Sequence, residues 1–181
     1  MIRRFLILGL SLVALAGGTA AAHAQSAKCV QSAPRLLAKA NVLPLALDDT
    51  FEFRKKKLFL NDPDLVEKSS DKMIAAEQQR IEYGAVTTEE RRARRGHYFN
   101  FWWRAKRPAK VTVRLEYRQA NLGNYVQAQE IDVAAAKEGT WETNFQVTGD
   151  NYLEDGNIVA WRALVIENGK IVALTQSFLW R

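Results

Sequence analysis

Three observations predict a mainly β protein, an antiparallel two-sheet sandwich with a helical extension at its N-terminus. Between residues 111 and 118, apolar side chains occupy every second position, which is typical of a half-buried strand. The preceding segment, residues 97–103, is rich in aromatic side chains and is joined to it at Lys106-Arg107-Pro108. No helical pattern separates the β segments that follow Gly96. The aromatic strand is expected to lie in the core, with Tyr98, Phe99, Phe101, Trp102 and Trp103.

Residues 1–24 are predicted to be a cleaved secretory signal peptide. Arg3 and Arg4 precede an apolar run from Phe5 to Ala16, and Ala22-His23-Ala24 supplies the small residues of a cleavage site. The run is shorter than the roughly 20 residues that a bilayer span needs, so we expect cleavage and no membrane anchor. Cleavage removes two basic residues and no acidic one, which lowers the formal net charge from +6 to +4. This excess is only weak evidence for an anionic partner.

Residues 25–95 are predicted to form the extension, which begins with a mobile leader from Gln25 to Asn41. A short helical turn is expected within it, near Leu36-Leu37. The segment from Val42 to Leu60 is more apolar and could be a hairpin or one long edge strand. In either arrangement, Lys55, Lys56 and Lys57 would protect an exposed edge against unwanted pairing.

Two helices are predicted in the second half of the extension. Asp62 can cap the first, which would begin at Pro63 and end near Tyr83. The second is short and begins at Thr87, which has the spacing of a capping box with Glu90. Arginines near its C-terminal end suit the helix dipole.

Residues 96–181 are predicted to form the sandwich, which contains six strands. Asn168-Gly169 is the strongest turn signal, because both residues tolerate positive φ in a two-residue hairpin. The penultimate strand is expected to place Trp161 in the core, and residues 149–156 are expected to form a polar loop. Two further strands precede that loop, at residues 125–133 and 141–147. Three residues are expected to share the inward face of Trp161, namely Val159, Ala163 and Val165.

The strand rhythm and the inward aromatics from Gly96 to Trp180 resemble an immunoglobulin-like or fibronectin-type-III-like domain. The segment lacks the cysteine pair that bridges the sheets of antibody domains, since Cys29 is the only cysteine. It also lacks a tyrosine at the start of the penultimate strand, because Tyr152 comes several residues too early. The resemblance implies an architecture and a module, and this architecture hosts many functions.

Candidate catalytic residues are few. After cleavage His97 is the only histidine, and it is expected to be the end residue of a strand rather than a base. The acidic loop with Asp150, Asn151, Glu154 and Asp155 could supply oxygen ligands to calcium or the carboxylates of a hydrolase. Its spacing does not fit an EF-hand, and Asp and Asn are common in turns. We therefore expect no cofactor, no metal and no catalytic residues.

Basic and aromatic residues are interleaved from Arg91 to Lys110, which is a pattern that can bind polyanions. An exported protein is not expected to meet nucleic acid, so anionic lipid or polysaccharide would be the ligand. The alternative, a core strand flanked by solvated charges, is favoured. The residues that would form this polyanion site are Arg91, Arg92, Arg94, Arg95, Arg104, Lys106 and Arg107.

We therefore expect an exported, periplasmic or extracellular binding or assembly module without enzymatic activity. Its partner would be another envelope or extracellular protein. Two alternatives remain open, namely a polyanion binder that uses the segment from Arg91 to Lys110 and a carboxylate-based hydrolase.

Overall fold

The computed structural model describes residues 30–65, 71–135 and 138–180, and the chain is mainly β with two antiparallel sheets, as predicted. The predicted signal peptide and Cys29 lie outside the described residues. In chain order the elements are β1 (Val30–Gln31), β2 (Arg35–Leu37), β3 (Phe51–Asn61), α1 (Lys72–Glu82), α2 (Thr88–Ala93), β4 (Gly96–Ala105), β5 (Ala109–Gln119), a 3₁₀ helix (Ala120–Leu122), β6 (Gln127–Ala135), β7 (Gly139–Thr148), α3 (Asp150–Asp155), β8 (Ile158–Glu167) and β9 (Lys170–Gln176).

The two sheets pack against each other around one core. The larger sheet has the order β1-β6-β5-β8-β9, with β2 also paired to β6, and the smaller sheet has the order β3-β4-β7. Phe101 of β4 and Trp161 of β8 meet between the sheets, with ring centroids 5.5 Å apart. Trp103 is fully buried, and its indole N–H donates a hydrogen bond of 2.9 Å to the buried hydroxyl of Thr143. Alternate side chains of β5 complete this core, as predicted, with Val111, Val113, Leu115 and Tyr117.

Residues 51–61 form one long edge strand rather than a hairpin. β3 pairs with β4 from Phe51↔Ala105 to Asn61↔Gly96, so a strand from the predicted extension is an integral part of the smaller sheet. A register shift between Phe53 and Lys55 changes which residues face the core. Such a bulge breaks the alternation by which a strand is recognised in a sequence.

The prediction of a helical turn at Leu36-Leu37 was wrong, because β2 is a strand. Its residues Arg35–Leu37 pair with Glu130, Gln129 and Ala128 of β6, and β1 pairs with the same strand further along. Residues 44–48 then run parallel to β9, where the amide of Ile171 donates to the carbonyl of Pro44. These pairings cover edges of the larger sheet.

The first helix is shorter than predicted and has another cap. α1 begins at Lys72, the side chain of Asp71 accepts a hydrogen bond from the amide of Met73, and α1 ends at Glu82. Asp62 is instead a buried ion-pair partner of Arg95. The capping box of α2 is confirmed: Thr87 accepts from the amide of Glu90, and the Glu90 side chain accepts from the amide of Thr87.

Residues 149–156 do not form an irregular loop as predicted, since α3 occupies Asp150–Asp155. Its Tyr152 is buried and anchors the helix to the end of the sandwich. Val159 is exposed rather than inward, because the register between β5 and β8 shifts beside it. The hairpin turn is confirmed, since Asn168 and Gly169 both have positive φ, at 50° and 73°.

Candidate functional site

The outer face of the smaller sheet carries a regular grid of side chains. Strand register sets Phe59, Tyr98 and Gln146 side by side in one row across β3, β4 and β7. Residues two positions along each strand form the next rows on the same face. The middle row contains Lys57, Asn100 and Asn144, and the last contains Lys55, Trp102 and Glu142.

Helix α1 forms a wall beside this grid. Glu77 connects the two, since its Oε2 lies 2.9 Å from Lys57 Nζ and its Oε1 lies 2.5 Å from Arg80 Nη2. Arg94, just after α2, holds the C-terminal end of the wall through hydrogen bonds from Nη1 to the carbonyl oxygens of Ile81 and Tyr83, at 2.8 and 2.6 Å. No residue of α1 is buried, so these polar contacts position the helix.

Sheet and helix enclose a cleft of about 580 Å³. Its lining combines aromatic rings of Tyr98 and Trp102 with the amides of Asn100, Asn144 and Gln146. Within the described part of the chain, these three side-chain amides form no hydrogen bonds, whereas the Tyr98 hydroxyl donates to the carbonyl of Arg94 at 2.8 Å. The cleft therefore offers free donors and acceptors next to a half-buried indole, a combination typical of ligand sites.

The charges of the cleft are largely paired. Hydrogen bonds from Arg80 and Lys57 outweigh burial and hold the pKa of Glu77 below its ordinary value. Burial raises the pKa of the Tyr98 hydroxyl. At neutral pH, Glu77 is therefore an ionised carboxylate and Tyr98 is a neutral phenol. Both groups can hold a ligand by hydrogen bonds, and neither is set up to transfer a proton.

The residues of the predicted polyanion site do not form one surface. Arg91, Arg92, Arg94 and Arg95 lie before β4, and Arg104, Lys106 and Arg107 lie at its other end. Because β4 has ten residues, the two groups are roughly 30 Å apart.

Most of the predicted polyanion-site arginines also have partners within the fold. Arg95 pairs with Asp62 and Asp64, each at 2.5 Å, and Arg107 contacts Glu167 at 2.6 Å and Asp48 at 3.2 Å. Arg92 pairs with Asp150 at 3.3 Å, Arg104 with Glu138 at 3.0 Å, and Arg91 lies 3.5 Å from the carbonyl of Ala85. Of the seven residues, only Arg94 lines the cleft, and Arg104 lies on the same face of β4 one row beyond Trp102.

His97 lies at the end of the core, away from the grid. Its Nε2 accepts a hydrogen bond of 3.2 Å from the amide of Ile158, and its ring meets Tyr152 edge-on with centroids 5.6 Å apart. Burial lowers the pKa of His97, and a hydrogen bond with Asn157 and the charge of Asp62 act in the opposite direction. The imidazole is therefore held neutral as an acceptor for the backbone.

The carboxylates considered for a hydrolase or a calcium site lie on α3, and none lines the cleft. Asp150 pairs with Arg92, Asp155 accepts a hydrogen bond from Gln127 at 3.0 Å, and Glu154 is exposed. Among the described residues, no group of three or more His, Cys, Asp or Glu side chains is placed to hold a metal ion.

A second polar cluster lies on the outer face of the larger sheet, but the chain covers it. Arg114 binds Glu130 at 2.7 Å and donates to the backbone and side-chain oxygens of Asn41, at 3.0 and 2.9 Å. Glu116 is 2% exposed and binds Arg162, which stacks on the ring of Trp180 at 4.9 Å. This network fastens the segments around Asn41 and Trp180 to the sheet and buries the charges of Arg114 and Glu116.

The cleft does not follow from the aromatic pattern of β4, because that pattern predicts a core strand with all five aromatic side chains inside. The missed signal is that Tyr98 and Trp102 share their strand face with polar Asn100 and Arg104.

Comparison with protein-family models, with curated proteins and with solved structures found no significant match to this chain. In the described ranges, the structure contains no helix long and apolar enough to cross a membrane.

Proposed function

We propose that this protein is an exported, non-enzymatic binding module, which holds its ligand in the cleft over the outer face of the smaller sheet. The single observation that carries this proposal is the grid itself. Three side-chain amides without partners in the described chain occupy the two rows next to the half-buried indole of Trp102 on an open sheet face, which is an arrangement that packing of the fold does not require.

The strand order supports an immunoglobulin-like or fibronectin-type-III-like architecture. Seven strands, β3 to β9, divide into β3-β4-β7 and β6-β5-β8-β9. An immunoglobulin constant domain also has seven strands in two sheets, divided four and three. The two divisions differ only in the fourth strand. In the immunoglobulin constant domain it belongs to the sheet of the first, second and fifth strands. Here β6, the fourth of the seven, belongs to the other sheet, with β5, β8 and β9. β1 and β2 would be additions at the edge of that plan.

Export is supported by the basic start, the apolar run and the Ala22-His23-Ala24 site of residues 1–24. We expect N-terminal sequencing of the exported chain to begin at Gln25. Recovery of the exported chain with Met1 to Ala24 still attached would contradict cleavage. The partner would then be a component of the envelope or of the extracellular medium.

The absence of enzymatic activity is supported by the chemistry of the cleft. A glycosidase acid needs a raised pKa so that it is protonated at neutral pH. Glu77 has the opposite shift because Arg80 and Lys57 stabilise its charge. Polyanion binding through the segment from Arg91 to Lys110 is the weaker proposal, because its cations are divided between two ends of β4 and most are paired.

An experiment on the isotopically labelled mature chain tests the proposal. The chain has five tryptophans, and each gives an indole N–H signal in an NMR spectrum. Addition of an extract of the producing cells' envelope should shift the Trp102 signal, while the core signals of Trp103 and Trp161 serve as internal controls. Shifts confined to α2 would favour the polyanion alternative, and an unchanged Trp102 signal at saturating extract would contradict the proposal.

A further inference from the structure

We infer that the ligand of the cleft is a neutral, hydroxyl-rich oligosaccharide, an inference that rests on the proposed binding function. Sugar rings present C–H groups that pack on the face of an indole, and they carry hydroxyls that both donate and accept hydrogen bonds. The grid provides both features, with Trp102 at one end and amides along its length. Side-chain amides match hydroxyls because each amide also donates and accepts.

The length of the grid suits a chain of sugars. Tyr98, Asn100 and Trp102 occupy alternate positions of β4, and their partners Gln146, Asn144 and Glu142 follow the same spacing on β7. At about 3.3 Å per residue, the rows extend over roughly 13 Å, which is longer than a single sugar ring. The site is therefore an open track with repeated polar contacts, and an oligosaccharide could lie along it.

The paired charges argue against a polyanion in this cleft. Glu77 pairs with both Lys57 and Arg80, and Arg94 donates to backbone carbonyls. The three cations of the lining face two carboxylates, those of Glu77 and Glu142, so the cleft carries a net charge of only +1. The exposed carboxylate of Glu142 adds a negative charge at the end where Lys55 lies over the Trp102 ring, 5.0 Å from its centroid. An exposed lysine on a ring is a weak contact, so a sugar could displace it.

The backbone of the cleft argues against an extended peptide. β4 is paired with β3 on one side and β7 on the other. The outer edge of β7 is partly occupied, because the side-chain amides of Gln31 and Gln129 donate to the carbonyls of Glu142 and Gln146, so addition of a peptide strand there is disfavoured. Apolar side chains that a lipid or an apolar peptide would need are concentrated in an adjoining groove between β3 and α1, which shares Lys57 and Glu77 with the cleft. That groove is also lined by Leu58, Phe59, Leu60, Met73 and Ile74.

Defined oligosaccharides provide the test. Soluble neutral fragments of β-glucan, chitin, xylan and mannan are titrated into the labelled mature chain. Oligogalacturonate, a proline-rich peptide and vesicles of anionic phospholipid are titrated in parallel. We expect at least one neutral oligosaccharide to shift the Trp102 indole signal and the side-chain amide signals of Asn100, Asn144 and Gln146. Its affinity should change less than about twofold with added salt, since no net charge is bound.

Substitutions in the grid test whether saccharide binding depends on its side chains. Trp102→Ala should weaken binding roughly tenfold or more, as expected of a large aromatic side chain that packs on the ligand. Asn144→Ala should weaken it several-fold, and Trp102→Phe, which keeps a ring, should weaken it less than Trp102→Ala. Tyr125→Ala removes an exposed aromatic from the other side of the sandwich and should leave binding unchanged. Unfolding midpoints of all variants verify that they are folded.

The outcomes separate the two proposals. If only the galacturonate, the peptide or the vesicles shift Trp102, the saccharide inference is wrong and the cleft remains a binding site. If neutral sugars bind but Trp102→Ala binds them equally well, the inference is also wrong. If none of these probes and no envelope extract affects Trp102, both the inference and the proposed function are wrong.

Discussion

The hydrogen bond between Tyr152 and Asp62 offers the sharpest test of how the chain closes one end of the sandwich. Both residues are 4% exposed, and the Tyr152 hydroxyl lies 2.7 Å from Asp62 Oδ2 and 2.7 Å from Asn157 Oδ1. Asp62 also accepts from Arg95 and from the amide of Asp64. Although burial acts to raise the pKa of Asp62, these hydrogen bonds lower it below the ordinary value, so Asp62 is charged.

The expected loss of unfolding free energy in Tyr152→Phe depends on which acceptors the hydroxyl has. A hydrogen bond to a charged group contributes about 1.5–3 kcal/mol and one to a neutral group about 1 kcal/mol. Tyr152→Phe should therefore lower the free energy of unfolding by about 2 kcal/mol in the natural chain. In the Asp62→Ala background only Asn157 remains as acceptor, so the same change should cost about 1 kcal/mol. The expected coupling between the two residues is the difference, about 1 kcal/mol.

Urea unfolding of the four chains of this double-mutant cycle, followed by circular dichroism, measures the coupling. Tyr98→Phe is a matched control, because the Tyr98 hydroxyl donates to the backbone carbonyl of Arg94 and not to Asp62. It should cost about 1 kcal/mol in both backgrounds. Additive effects of Tyr152→Phe and Asp62→Ala, within about 0.5 kcal/mol, would refute the assignment of this bond.

Three further predictions concern the core. Trp161→Ala should cost about 3–5 kcal/mol of unfolding free energy in urea, and a loss below about 1 kcal/mol would contradict its placement against Phe101. His97 has a lowered pKa in the folded state, so stability should be constant above its unfolded pKa of about 6.5 and fall as pH drops below that value. Thermal unfolding of a His97→Gln chain, measured over the same pH range, should lack this part of the pH dependence. Identical pH profiles of stability for the natural and variant chains would contradict the prediction. A chain that begins at Gly84 lacks β3 and should not unfold cooperatively in circular dichroism, whereas a cooperative transition would show that the smaller sheet survives without it.

The sequence predicted most of the strands because their local pattern matches their surroundings. β5 alternates along its length, and the larger sheet buries one face of it against the smaller sheet. Asn168-Gly169 predicted its hairpin because a two-residue turn requires positive φ at both positions. In each case the information lies in a few consecutive residues.

The wrong predictions of secondary structure concern segments whose conformation is determined by contacts with residues distant in sequence. β2 has no alternating pattern and is a strand because β6 offers its edge. α3 depends on Gln119, whose side-chain amide donates to the carbonyls of Asn151 and Gly156 at 2.8 and 2.9 Å, and on Tyr152, which reaches Asp62. Local propensity is a weak guide to segments held in this way.

The cleft was not predicted because the number of aromatic residues in β4 does not show on which face of the strand each side chain lies. Trp102 and Trp103 are adjacent in sequence, yet Trp103 is fully buried and Trp102 lies over the opposite face. Asn100 and Arg104 lie two positions before and after Trp102, so all three share one face of β4. Because Asn100 and Arg104 are polar, that face is the outer one. The register with β7, which sets Asn144 beside Asn100, is a property of the sheet and could not be derived from either strand alone.

The two outer faces of the sandwich differ in how their polar side chains are paired, and this difference supports the proposed position of the site. On the larger sheet, Asn41 accepts from the buried Arg114, and Trp180 packs on Arg162, which pairs with the buried Glu116. On the smaller sheet, α1 stands beside the strands and buries none of its own side chains. A buried charge needs a partner, and the chain provides one on the larger sheet. The side-chain amides of the cleft have no such partner within the described chain, and this difference is the reason for proposing the ligand site on the smaller sheet.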